Sequence, residues 1–160
     1  MLIADAGGQP VETGATGRIL VGTESVFLGY SDGLAHQSVD GLVATGDVGH
    51  FDRRGRLFVD GREDDMIVSG GENVYPIEVE DLLSRHADVA EVAVIGFSDE
   101  RFGQALKAFV VRKQGSSVDA EVLQDHVRAR LARYKVPREV QFVAELPRTA
   151  TGKVLRRNLS

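Results

Sequence analysis

Two stretches of the chain, Val89–Phe97 and Ala105–Arg112, are apolar over most of their length. Glu91 interrupts the first, and Phe109, Val110 and Val111 run consecutively in the second. Strands without a regular polar face are buried on both sides. The chain must therefore cover a sheet above and below. Two helical patterns can supply that cover. Pro76 suits the first position of a helix. Glu78, Glu80 and Asp81 follow near its positive end, and Val79, Leu82 and Leu83 form an apolar face that ends near His86. A second helix is predicted from a Ser116 or Ser117 cap to about Arg133, with Ala120, Leu123, Val127 and Leu131 in one stripe. Val140–Val143 reads as a last strand, Pro147–Gly152 as a loop and Val154–Leu159 as a short terminal helix. From residue 66 the order is β-loop-α-β-β-α-β-loop-α. It predicts an α+β domain, a small mixed sheet with packed helices.

The residues before it have a different texture. The first forty are rich in Gly and Thr, and Arg18–Val21 and Val26–Leu28 are strand-like between glycines. Val48–Phe51 and Arg56–Val59 flank Asp52-Arg53-Arg54-Gly55, which reads as a hairpin. Residues 1–62 are predicted to be a β-rich segment and residues 63–160 a separate domain.

Composition narrows the chemistry. There are no cysteines among the 160 residues, which excludes disulfides, thiolate metal sites and a cysteine nucleophile. His36, His50, His86 and His126 show no metal spacing, so no metal site is expected. No apolar run is long enough for a transmembrane segment, and the start of the chain does not read as a signal peptide. A cytoplasmic protein is expected. The net charge of −5 is uneven: residues 119–160 carry 9 basic and 5 acidic groups. A basic end on an acidic chain suggests attraction to an anion, and a solvated helix face explains it equally well. Nucleic acid is not expected as a partner, because the basic residues are not interleaved with aromatics.

Three segments carry candidate chemistry. In Thr45-Gly46-Asp47 the carboxylate suits sugar hydroxyls, but taken alone it is better read as a turn aspartate. In Gly61–Asn73, Arg62 has a donor fork for phosphate or ribose, and Gly70-Gly71 allows close backbone approach. Taken alone, that segment is better read as a linker and tight turn. In Pro147–Lys153 a lysine on a glycine-containing loop can bring a point charge to phosphate. A surface lysine accounts for it equally well. This is not a Walker A loop, since Pro147 stands where glycine is required and Val154 where Ser or Thr is.

Together, in this order and spacing, these segments resemble the adenylate-forming superfamily of acyl-CoA synthetases, peptide-synthetase adenylation domains and luciferases. The resemblance covers nearly the whole chain. Gly17–Val21 through Leu28-Gly29-Tyr30 is similar to the closing barrel segment of that family's large domain. Met66–Pro76 is most similar to fatty acyl-CoA ligases, including mycobacterial-type ones. Val68 stands where luciferases and plant coumarate ligases carry lysine, and Val43-Ala44 replaces an aromatic-arginine pair. The resemblance implies a fatty acyl-CoA ligase that uses ATP, Mg2+ and coenzyme A. It implies that Asp47, Arg62 and Asn73 contact the nucleotide, Asp64 is the hinge, Gly70 and Gly71 face coenzyme A, and Lys153 is the catalytic cation of adenylation. It also implies a partner, the large N-terminal domain of the same enzyme, which would hold the phosphate loop and acyl pocket. Without it the fragment is expected to be inactive and to bind no cofactor tightly. Unpaired edge strands in residues 1–45 would then favour a truncation-induced dimer. Two other readings stay open, a non-catalytic binding or regulatory module and an adenylation-domain fragment of a peptide synthetase.

Overall fold

The computed structural model describes residues 1–22, 38–39 and 41–160. The strand expected at Val26–Leu28, the family-like Leu28-Gly29-Tyr30 and His36 lie outside the described residues. The chain divides into two compact units, Met1–Asp64 and Asp65–Ser160.

In the first unit, β1 (Leu2–Ala4), β2 (Gly17–Val21), β3 (Ser38–Val39), β4 (Leu42–Phe51) and β5 (Leu57–Arg62) form one antiparallel sheet. β2 pairs along one edge of β4, while β3 and β5 take the two ends of its other edge. The expected hairpin is present and longer than the sequence suggested. Its turn is held by Asp52, whose Oδ1 accepts the backbone N–H groups of Arg54 and Arg56, both at 2.9 Å. Ala4, Leu20 and Ala44 pack together at the centre, with Leu2 and Leu42 against them.

The second unit is the predicted α+β domain. Its elements are β6 (Ile67–Ser69), β7 (Glu72–Val74), α1 (Pro76–Ser84), β8 (Val89–Asp99), β9 (Gly103–Arg112), α2 (Ala120–Arg128) and β10 (Glu139–Phe142). Short 3-10 turns follow at Arg133–Lys135 and Arg156–Asn158. β9 is the centre of the sheet. β8 runs antiparallel along one edge of it, and β10 lies parallel along the other, beyond which β6 joins at Ser69–Gly103. A parallel neighbour needs a crossover, and α2 supplies it.

The two apolar runs become β8 and β9, and the alternation along them explains why both faces had to be apolar. Val94, Leu106, Ala108 and Val110 point to Val79 and Leu83 of α1 and Leu123 and Val127 of α2. Ala93 and Phe109 point the other way, to Leu146 and Leu159 of the carboxy-terminal segment. Helices thus cover one face and the chain's last residues cover the other. Each large side chain buried this way contributes about 1.5–3 kcal/mol.

Two boundaries differ from expectation. Asp119, not a serine, caps α2, its Oδ1 accepting the Val122 N–H at 3.0 Å. α2 stops at Arg128, five residues early. The N–H groups of Arg130 and Leu131 both turn back to the Val127 carbonyl, and extended Ala132 then leads into the 3-10 turn. Among the described residues, no helix is long and apolar enough to cross a membrane.

Candidate functional site

Thr45-Gly46-Asp47 was expected just before a strand and instead lies inside β4. The Thr45 hydroxyl donates to the Ile19 carbonyl at 3.2 Å and accepts the Asp47 N–H at 3.0 Å. Between them Gly46 adopts φ 78°, and the Arg62 guanidinium lies so close that a Cβ there would sit 3.1 Å from Nη2. The glycine is what lets the arginine lie across the strand. Asp47 and Arg62 are register partners across β4 and β5. Arg62 Nη1 donates to Asp47 Oδ1 and Nε to Asp64 Oδ1, each at 3.2 Å. The structure thus gathers three of the predicted residues, Asp47, Arg62 and Asp64, around one guanidinium. The Asp64 hydrogen bond is the largest influence on Arg62. With Asp47 it outweighs the effect of burial and raises the guanidinium above its ordinary value.

Gly70, Gly71 and Asn73 come together in the second unit. What was expected to be a loop at Ser69–Asn73 is a tight hairpin between β6 and β7, with Ser69 opposite Glu72. Its two-residue turn has φ 62° at Gly70 and 87° at Gly71. Positive φ at both central positions matches a type I′ turn. The turn is fastened to the sheet by the Gly70 N–H on the Phe102 carbonyl at 2.9 Å and the Val68 N–H on Gln104 Oε1 at 2.9 Å. Asn73 is exposed on β7. Beside the turn lies a cavity of about 640 Å³, whose lining includes Phe102, Leu106 and Tyr134, the cations Arg101 and Arg133, and the carboxylate Glu72.

Lys153 stands on a different hairpin. Arg148 and Val154 form an antiparallel bridge, and the Gly152 N–H closes a turn on the Thr149 carbonyl at 2.9 Å. The Lys153 N–H donates to Thr149 Oγ1 at 3.1 Å. Arg148 clamps this loop from one side. Its Nη1 donates to the Gly152 carbonyl at 2.7 Å, and its Nη2 reaches Glu91 on β8 at 2.8 Å. Lys153 itself is exposed, and its ammonium makes no hydrogen bond or ion pair with the described residues. The arginines on either side of it in the chain, Arg148 and Arg156, are engaged, whereas Arg157 is exposed like Lys153. Arg148 is held by Glu91, and Arg156 by Glu80 and Asp65. Sequence reasoning missed these carboxylate partners, since Glu80 lies 76 positions from Arg156. Among the described residues no cluster of three or more His, Asp or Glu is placed to hold a metal ion.

Residues 78–153 match the family described as the AMP-binding enzyme C-terminal domain. The indoleacetate–CoA ligase of Aromatoleum aromaticum is 49% identical over 150 residues, covering 92% of this chain and 29% of that enzyme. A long-chain-fatty-acid–CoA ligase of Bacillus subtilis is 43% identical over 146 residues, covering 89% of this chain and 26% of that enzyme. The chain thus spans less than a third of the length of the curated relatives it matches. Among solved structures, o-succinylbenzoate CoA synthetase from Bacillus subtilis, in complex with an acyl-adenylate intermediate, superposes with a TM-score of 0.88 at 37% identity. That match covers 100% of this chain and 33% of that one. ATP-bound MatB from Rhodopseudomonas palustris gives a TM-score of 0.88 at 35% identity, covering 98% and 32%. The acids named for these enzymes are varied, and the relatives do not single out a mycobacterial fatty acyl-CoA ligase.

Proposed function

Residues 78–153 are an AMP-binding enzyme C-terminal domain of the adenylate-forming superfamily, and on that premise we propose that the chain is the carboxy-terminal part of an AMP-forming acid–CoA ligase. In the first half-reaction a carboxylate oxygen attacks the α-phosphorus of ATP, and pyrophosphate leaves. In the second the sulfur of coenzyme A attacks the acyl carbonyl, and AMP leaves. A large N-terminal domain of the same enzyme holds the acid and the phosphates.

Lys153 supplies a positive charge to the pentacoordinate α-phosphate of the first step. The observation that carries this role is an exposed ammonium without a carboxylate partner, on a hairpin clamped by Arg148, with the flanking Arg148 and Arg156 each held by carboxylates. A cation held ready where charge develops is effective because it need not reorganise during reaction. Asp47 accepts the ribose hydroxyls, and Arg62 steadies it. Asp64 is the pivot whose backbone dihedrals change when the lobe turns, and Asn73 faces the nucleotide. Gly70 and Gly71 lie along the coenzyme A path, where a cavity with four arginines and one glutamate in its lining suits an anionic ligand. Magnesium accompanies ATP, and no residue here is assigned to it.

A fatty acid is the proposed acid, supported by the likeness of Met66–Pro76 to fatty acyl-CoA ligases and by the Bacillus subtilis relative. An aryl acid is a second reading, favoured by the 49% identity to an indoleacetate–CoA ligase. Competing fatty and aryl acids against each other for adenylation by the full-length enzyme separates the two. The role of Lys153 is tested by Lys153→Ala in that enzyme, read as pyrophosphate exchange dependent on the acid. A loss of about 100–1,000-fold is expected, and an unchanged exchange rate would refute the assignment.

A further inference from the structure

One charged cluster in the second unit has no part in the chemistry above. Arg156, in the 3-10 turn three residues after Lys153, reaches both carboxylate oxygens of Glu80 through Nη2, each at 2.8 Å. Its Nη1 reaches Asp65 Oδ2 at 3.2 Å. Glu80 is on α1, and its Oε1 also accepts the Val94 N–H at 2.7 Å, on the β8 edge that β9 leaves open. Asp65 is the first residue of the unit and follows directly on Asp64. One guanidinium thus ties together the start of the unit, helix α1, the open edge of the sheet and the carboxy-terminal tail.

We propose that Arg156 is a positioning residue for adenylation: it locks the hairpin bearing Lys153 to the residue next to the pivot, so that rotation at Asp64 carries the ammonium to a defined place. The proposal rests on the catalytic role assigned to Lys153. Its physical basis is the tail's attachment. Behind Lys153, the apolar anchors are Leu159, with Val154 packed alongside. Apolar contacts hold a segment against a sheet but tolerate sliding along it. A charged fork meeting two carboxylates does not, because each donor loses its acceptor when the fork moves. Such a partly buried pair adds little net stability and chiefly restricts geometry. Burial disfavours the Arg156 charge, and Glu80 and Asp65 more than compensate, leaving the guanidinium above its ordinary value. Arg148 clamps the other end of the hairpin to Glu91 on β8. The loop carrying Lys153 is therefore referenced to the rigid sheet on one side and to the pivot on the other.

The test separates the half-reactions in the full-length enzyme. Adenylation is followed by pyrophosphate exchange, and thioester formation is followed from supplied acyl-adenylate and coenzyme A. Arg156→Gln is expected to lower the adenylation kcat by about tenfold to a hundredfold, the scale of a displacement near 1 Å, with thioester formation changing by less than about threefold. Arg156→Lys is expected to recover part of the loss. Should Arg156→Gln not fold, Glu80→Gln, which retains an acceptor for Val94, must show the same split. Equal loss of both half-reactions, or no loss of adenylation, overturns the proposal. Lys153→Ala, run in parallel, tells the two claims apart. If it leaves adenylation intact, the catalytic reading itself fails. If it abolishes adenylation while Arg156→Gln does not impair it, only the positioning role fails.

Discussion

At the Gly70–Gly71 turn, two consecutive residues occupy the left-handed region, φ 62° and 87°. A side chain at either position meets steric strain of about 1–2 kcal/mol. At Gly70 it also meets a neighbour, since a Cβ would stand 3.1 Å from the Phe102 ring, whereas space around Gly71 is open. Gly71→Ala is therefore expected to lower stability by about 1 kcal/mol through backbone strain, and Gly71→Asn by less, because asparagine tolerates this region. Thermal melts of the two variants check this, and equal melting of Ala and Asn variants would contradict it. The paired glycines were legible in the sequence as a place where a backbone comes close to something. That they form a hairpin turn was not, because Ile67–Val74 carries too few apolar residues to show a strand period. Asp47 and Arg62 were legible as candidates by residue type. Their shared bond to one another, across a strand pair with a glycine beneath, follows from the register of β4 on β5.

Helices α1 and α2 meet over the sheet, and at one end of their contact His86 and His126 lie edge to face, ring centroids 4.9 Å apart. His126 is held below its ordinary value, first by burial and then by the positive neighbours Arg130 and His86, with the Leu82 backbone acting the other way. The sign of the consequence follows. A histidine whose folded value is depressed takes up its proton first in the unfolded chain, near the ordinary histidine value of 6.5. The second unit should therefore keep constant stability above about pH 7 and lose stability as pH falls through 6.5 toward the folded value. Denaturation midpoints between pH 8 and pH 5.5 measure the loss, and His126→Gln should flatten it. A variant with the same slope as the parent chain would sink the assignment. The helices themselves were readable from their stripes. The end of α2 was not, since Leu131 continues the apolar period after the backbone has already turned away.

The chain as a whole falls into two units that differ in core. Ala4, Leu20 and Ala44 centre the first, while the second centres on eleven buried residues from Ile67 to Val127. Adenylation by two lobes closing around ATP requires both lobes and the exclusion of water. The 160 residues by themselves are accordingly expected to release no pyrophosphate when given ATP, magnesium, coenzyme A and a panel of fatty and aryl acids. Clear turnover would overturn that expectation. The sequence by itself determined the α+β class, the two helices, the buried strands and the three segments of chemical interest, because period, glycine placement and residue type are local properties of the chain. Only the tertiary structure decided that the last residues cover the second face of the sheet, that Arg148 and Arg156 are held by carboxylates, and that Lys153 between them is left without one. Those outcomes depend on which carboxylates the folded sheet and helix present to each cation, and partners 57 and 76 positions apart leave no mark in a linear pattern.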